Sequence, residues 1–373
     1  MDTLFFYGTL RHVPLLDCVL GRPGDVDVVA DVLRGYAVLS SPDGLYPVLT
    51  PDADDEVHGV LVRGLGPEDI ARLNYYEGGF DYDLEPVTLD SGAVSRVYVP
   101  GPSVSRVQSR WDFDAWEDRW AEMNLFAAQE VMAGYGRVSV ADLAARFPRI
   151  RARAWSKVLA RRGRHGQDVL NGRVDMTART KAYSDFFTIE DMVLRHEIFG
   201  GGMSGPLRRA VFVSSDASIV LPYDPVRDRV LLVEQVRMGP IGRNDPVCWQ
   251  MEPVAGLIDP GETPEEAARR EGAEEAGLTF DRLEPAGECY ASPGAATDFF
   301  HLFVGLCDLP DDATGIGGEE AEGENIRSHL MAFDDLLALA DDRRVANTPL
   351  AMLTYWLAHH RARVQGARAP DVA

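Results

Sequence analysis

Glu271, Glu274 and Glu275 stand at i, i+3 and i+4 in a stretch that reads as a helix, so one helical face carries three carboxylates. Like charges at that spacing repel by a few tenths of a kcal/mol per pair, so stability alone gives no reason to stack them. Oxygen ligands of this kind suit a hard divalent cation, Mg²⁺ or Mn²⁺, which would supply the counter-charge and bridge to phosphate oxygens. As a fragment, however, the run Glu265 to Glu271 reads more simply as an acidic amphipathic helix with a solvated face.

The local sequence provides a frame for these side chains. Thr263 precedes Pro264 and Glu266, a capping box with proline at the first helical position, and Gly277 closes the helix. Arg270 can pair with a neighbouring glutamate and fix its rotamer. Strand-like runs come before it, at 210–213, 218–221 and 229–236, and another follows at 299–306; a last amphipathic helix spans about 349–364. Alternating strands and helices predict a mixed α/β sandwich over 181–373. Residues 1–102 read as short strands and turns up to Pro100-Gly101-Pro102. Between them, 103–180 reads as a helical connector. There Trp111, Trp116 and Trp120 form a stripe that suits packing on a neighbouring domain, and Ser139 to Asp142 resembles a helix start. Arg151, Arg153, Lys157, Arg161, Arg162 and Arg164 cluster as a solvated or interdomain helix face, with an anionic partner as the alternative.

A chain of 373 residues is too long for one ordinary core. The formal charge of −22 argues against generic nucleic-acid binding, and an anionic substrate would need cations in between. Cys18, Cys248, Cys289 and Cys307 show no metal-ligand spacing and suit a reducing compartment. No run is long and apolar enough for a membrane span, so the expectation is a cytoplasmic protein with no membrane partner.

The whole window 256–278 resembles the Nudix signature, whose fixed residues are here Gly256, Glu262, Arg270, Glu271, Glu274, Glu275 and Gly277. Gly272 departs from it, standing where an aliphatic residue is usual; a mid-helix glycine costs about 1 kcal/mol relative to alanine. The flanks over roughly 181–365 resemble the bacterial ADP-ribose pyrophosphatases of that family. Among the similar segments are Val220 to Pro225, Val233 to Arg237, Glu252 to Gly256, Ala291 to Gly294 and Glu322 to Arg327.

That resemblance implies roles. The Ala255 carbonyl, Glu271, Glu275 and, in a closed complex, Glu324 would hold Mg²⁺ (or Mn²⁺). Glu322 would be the general base on a loop that closes over substrate, and Glu274 a further catalytic candidate. By themselves Glu319, Glu320, Glu322 and Glu324 read as a solvated acidic loop, so the register of the base rests on the resemblance. Arg237 would grip the diphosphate, with Glu252 beside it. Ser292, Gly294 and Asp298 would lie near the terminal ribose. The family's dimers swap N-terminal strands, which makes Phe186, Phe187 and Arg209 adenine-side candidates and a homodimer the expected state. Asp298 replaces a longer glutamate and Ala210 an acidic residue, which bears on substrate choice.

At the other end, Phe5 to Leu10, Leu45 to Leu49, His58 to Leu61 and Leu73 to Gly78 resemble the γ-glutamylcyclotransferase-like (AIG2-like) family over about 2–101. The resemblance implies a small β-barrel in which the Tyr7-Gly8-Thr9-Leu10 backbone cradles a γ-glutamyl amine. Glu77 would shuttle a proton during intramolecular attack. An arginine expected two residues after Tyr82 is absent, since Leu84 stands there. Fusions of two such modules resemble proteins associated with tellurite resistance. The expected function is Mg²⁺-dependent hydrolysis of ADP-ribose, or a related nucleoside diphosphate sugar, to AMP and ribose 5-phosphate. The alternatives are γ-glutamyl amine cyclisation to 5-oxoproline as the main activity, or a nucleotide-sensing Nudix module without turnover.

Overall fold

The computed structural model describes residues 2–42, 44–78, 81–163, 172–318 and 324–366. Two compact units divide the chain, Met1–Arg162 and Gly163–Ala373.

The first unit runs β1 (Asp2–Phe6), a 3-10 turn (Thr9–Arg11), α1 (Val13–Leu20), β2 (Asp27–Ser40), β3 (Pro47–Leu65), α2 (Pro67–Glu77), β4 (Tyr82–Thr88), β5 (Val94–Pro100), α3 (Phe113–Met132) and α4 (Val140–Arg162). Its sheet has the order β2-β3-β1-β5-β4. Beyond β4 the chain bonds back to β2: the Asp90 N–H donates to the Val32 carbonyl at 2.9 Å. This draws the two outer strands together, as the expected small barrel requires. Phe5, Leu33, Leu49, Leu61 and Val97 fill its interior.

Helices α1 and α2 were not legible as periodic segments. α1 is short and so apolar that no stripe stands out, with Leu15, Leu16, Val19 and Leu20 all buried. The helices read as a connector lie in the first unit. Trp116 and Trp120 are buried there, and the Trp116 indole donates to the Leu45 carbonyl at 2.9 Å. The helix start at Ser139 is present, its hydroxyl accepting from the Asp142 N–H at 3.1 Å. The basic cluster does not form one face: Arg153 is buried against Glu130 (2.7 Å), Arg161 pairs with Glu122 (2.6 Å), and Arg164 lies outside the described residues.

The second unit runs β6 (Val174–Ser184), β7 (Thr188–His196), β8 (Leu207–Val213), β9 (Ala217–Asp224), β10 (Arg229–Val236), α5 (Met238–Arg243), β11 (Trp249–Glu252), β12 (Val254–Leu257), α6 (Pro264–Ala276), β13 (Arg282–Tyr290), β14 (Phe299–Leu306), β15 (Ile316–Gly317), β16 (Ile326–Ala332), α7 (Phe333–Asp341) and α8 (Thr348–Gly366). β6, β7 and β8 form their own antiparallel sheet, and its first strand begins before residue 181. The main sheet has the order β13-β14-β9-β10-β16-β15, with β11 on β10 and β12 on β9.

Period-two alternation sends the sheet's side chains to two cores. Ile219, Leu221, Val230 and Leu232 face Phe333, Leu336, Leu353 and Leu357 of α7 and α8. Val220, Leu231 and Val233 share the other core with Ala268 of α6 and Phe280. Helices therefore cover both faces, as the alternating pattern predicts.

Candidate functional site

Helix α6 is capped as its sequence predicts. The Thr263 hydroxyl accepts from the Glu266 N–H at 3.2 Å, the Glu266 carboxylate accepts from the Thr263 N–H at 2.8 Å, and Gly277 ends the helix in the left-handed region at φ 64°. Packing of the buried Ala267 and Ala268 against the sheet sets the rotation of the helix and so decides which glutamates point inward. Glu275 is buried and Glu271 nearly so, whereas the Glu274 side chain is half exposed. The three carboxylates of the sequence reading thus divide into an inner pair and an outer member.

Arg270 joins these groups. Its Nε and Nη2 hold Glu262 in a fork at 2.9 and 3.1 Å, Nη1 donates to Glu271 at 2.7 Å and Glu274 at 3.0 Å, and Nη2 reaches the Leu257 carbonyl at 3.0 Å. Gly256 on β12 makes room for the inner pair: a Cβ there would lie 1.8 Å from Glu271 Oε1. The neighbouring Ala255 N–H donates to Glu275 Oε2 at 3.1 Å.

Burial pushes Glu271 up to about 7, against the lowering charge and hydrogen bond of Arg270 and with Glu274 and Glu324 adding to the rise. Burial pushes Glu275 up to about 8, with the charges of Glu271 and Glu324 adding to it. Ionised carboxylates buried beside each other need a counter-charge, and oxygen donors of this type fit Mg²⁺ or Mn²⁺. Among the described residues, no three acidic, histidine or cysteine side chains converge into a finished metal cage. Glu319, Glu320 and Glu322 lie outside the described residues.

Arg237, at the end of β10, lowers the Glu275 pKa by its charge and bonds Glu252 through Nε at 2.7 Å. Asn347, a residue the sequence reading missed, completes this link. Its Nδ2 donates to Glu252 Oε1 at 2.9 Å while its Oδ1 accepts from the Leu350 N–H at the start of α8. Its position before Thr348-Pro349 could have suggested a helix cap. Nothing in the sequence connects it with Glu252, 95 residues away.

The other predicted contacts gather around β8. Ser292, Gly294 and Asp298 lie on a turn in which Ser292 O accepts from the Ala295 and Ala296 N–H groups, at 3.0 and 2.9 Å. Ala296 bridges to Phe212 of β8. Phe187 packs on Phe212 with centroids 4.7 Å apart, and Phe186 on Phe187 at 4.6 Å. Arg209 and Ala210 lie on the same strand, Arg209 opposite Met192.

Within the first unit a cavity of about 510 Å³ is lined by Tyr7, Gly8, Thr9, Leu10 and Glu77, as the sequence reading grouped them. Gly8 is required by close approach, since a Cβ there would lie 2.4 Å from Pro47 Cγ. Tyr76, Tyr82 and Tyr98 line the cavity too, Tyr82 donating to the Pro47 carbonyl at 3.2 Å and Tyr98 to Asn74 Oδ1 at 2.8 Å. Burial pushes the Glu77 carboxyl up to about 7, and burial with the Glu77 charge raises Tyr7, Tyr76, Tyr82 and Tyr98.

Known families account for both regions. The NUDIX domain model matches residues 214–351, and the model for Gamma-glutamyl cyclotransferase, AIG2-like, matches residues 4–118. A protein of Escherichia coli called ADP-ribose pyrophosphatase is 37% identical over 190 residues, which are 51% of this chain and 90% of that protein. Its namesake from Haemophilus influenzae is 33% identical over 196 residues, 52% of this chain and 89% of that protein. A GDP-mannose pyrophosphatase of Yersinia enterocolitica is 30% identical over 152 residues, 41% of this chain and 78% of that protein. The chain belongs to the Nudix hydrolases and carries an AIG2-like cyclotransferase domain in its N-terminal part. Among the described residues no helix is long and apolar enough to cross a membrane.

Proposed function

We propose that the chain hydrolyses the diphosphate of ADP-ribose, or of a closely related nucleoside diphosphate sugar, to AMP and ribose 5-phosphate. The observation that carries this reading is the buried Glu271–Glu275 pair in the space left by Gly256, with Arg237 adjoining. The names of the E. coli and H. influenzae relatives support ADP-ribose over other sugars.

Bound Mg²⁺ would neutralise the diphosphate and lower the pKa of the attacking water. Glu271 and Glu275, with the Ala255 carbonyl and Glu324, are the residues that would hold it. Arg237 is held by Glu252, which Asn347 fixes in turn, and orients a diphosphate oxygen. Glu322 takes the proton of water as its oxygen attacks phosphorus and the bridging P–O bond breaks. Glu274 tunes Arg270 from the outer face. Ser292, Gly294 and Asp298 meet the terminal ribose, and Phe187 with Arg209 meets the adenine in a homodimer. Incubation with ADP-ribose and Mg²⁺ should release AMP; no AMP from the wild type, or undiminished AMP from Glu275→Gln, refutes the assignment.

A second reading concerns the N-terminal cavity, favoured by the burial of Glu77 among phenols. There the backbone of Tyr7 to Leu10 holds a γ-glutamyl group. Its α-amine attacks the γ-carbonyl carbon, the γ-amide C–N bond breaks, and Glu77 carries the proton from the attacking to the leaving nitrogen. Release of 5-oxoproline from γ-glutamyl amines, lost in Glu77→Gln, is the result this reading requires.

A further inference from the structure

Strand β10 carries a buried polar side chain that the proposed reaction leaves unused. Gln235 is 7% exposed, and among the described residues its carboxamide makes no hydrogen bond. Its polar neighbours on β11 are committed elsewhere. Gln250, directly opposite, donates through Nε2 to the Val247 carbonyl at 3.0 Å. Glu252, two residues further along, is occupied by Arg237 at 2.7 Å and by Asn347 at 2.9 Å. A buried amide that the fold does not satisfy is costly, and such a group calls for a partner from outside the chain.

Alternation along the strand fixes which way this amide faces. Val233, two residues before it, packs in the core that Ala268 of α6 shares. Arg237, two residues after it, bonds Glu252 and acts by its charge on Glu275 of α6. Gln235 therefore lies on the α6 side of β10, between that core and Arg237. The sheet also splits here. β9 and β10 pair only at Asp224–Arg229 and Tyr223–Val230, beyond which β11 lines β10 and β12 lines β9. Strand rise sets the Cα atoms of Gln235 and Arg237 about 6 to 7 Å apart, so their side chains can meet neighbouring oxygens of one diphosphate. An amide brings two N–H donors and no charge, which suits a place where Arg237 already supplies a cation.

We propose that Gln235 binds the substrate, its amide N–H groups donating to a diphosphate oxygen next to the one that Arg237 holds. This rests on the hydrolysis reading of the same site and adds to it a neutral donor that the free protein leaves without a partner.

ADP-ribose titrated calorimetrically into the full chain in EDTA tests this, alongside AMP release in Mg²⁺. Gln235→Leu keeps the bulk of the side chain and removes the donors. It should bind ADP-ribose about ten-fold more weakly and lower kcat/KM by a similar factor. Its urea midpoint should equal or exceed that of the wild type, because the free fold gives up no hydrogen bond. Gln235→Glu keeps the shape but offers only acceptors at pH 8, so it should lose at least as much affinity. Affinity within about two-fold of wild type in either variant overturns the proposal. A lowered midpoint in Gln235→Leu does so too, since the amide would then have its partner inside the fold. Wild type that releases AMP in Mg²⁺ but does not bind in EDTA leaves the diphosphate to the cation alone, which overturns the role of Gln235 and spares the hydrolysis reading. Wild type that neither binds ADP-ribose nor releases AMP overturns both.

Discussion

Carboxylates are buried in both units of this chain, and their neighbours differ in kind. Glu77 is surrounded by the phenols of Tyr7, Tyr76, Tyr82 and Tyr98. Glu271 and Glu275 face each other and Glu324, with Arg270 and Arg237 beside them. Burial raises all three, Glu77 and Glu271 to about 7 and Glu275 to about 8. The same cause therefore serves two chemistries. A carboxyl among neutral hydroxyls can gain or lose a proton near neutrality, which suits a shuttle. Paired carboxylates with fixed arginines around them lack positive charge between them, which suits a metal site.

Removing charge from the second set should have the larger effect. Glu275→Gln should lower ADP-ribose turnover by on the order of 10³-fold, read as AMP release, with KM changing less than kcat. Loss of only a few-fold would place Glu275 outside the reaction. Gly256→Ala leaves every charge in place but sets a methyl group where Glu271 Oε1 lies. Turnover should fall by about 10- to 100-fold while the circular dichroism spectrum is unchanged, and a normal rate would remove the geometric role given to Gly256.

The first set is tested through stability. Between pH 4.5 and about 7 folded Glu77 keeps a proton that the unfolded chain has released, so its contribution is full below 4.5 and lost as pH rises to about 7. Glu77→Gln removes that slope. By urea unfolding the variant should exceed wild type by about 3 kcal/mol at pH 8, the gap closing toward pH 4.5. A gap that does not change with pH contradicts the burial of Glu77.

The smallest effect concerns packing. A Cβ on Gly272 would meet the buried Phe280 ring at 2.3 Å, and Gly305 approaches the same ring from the sheet. Gly272→Ala should destabilise by about 1 kcal/mol despite alanine's better helix propensity, and Phe280→Leu in the same chain should recover part of that loss. Stabilisation by alanine would show that the ring has room to move.

Much of the Nudix region was legible because its signals are local. The capping box, Gly277 and the period of the β9, β10 and β14 strands each depend on residues a few positions apart. The connector was only half legible: its helices were expected, but their membership in the first unit depends on contacts such as Trp116 with Leu45, 71 residues apart. Gly272 looked like an irregularity of the helix. It is a seat for Phe280, which no spacing rule reveals.

The sequence by itself determined the chemistry available. It set three glutamates on one helix turn, a glycine and an arginine before them, and a Tyr-Gly-Thr turn with a glutamate far downstream. Helical and strand periods depend on neighbours in the chain, so these features survive in the linear order. Only the tertiary structure decided that Glu271 and Glu275 are buried and Glu274 is not, that Asn347 holds Glu252, and that Arg151 lines the Glu77 cavity. Burial and hydrogen-bond partners arise between segments tens of residues apart, and the packing of whole elements sets them.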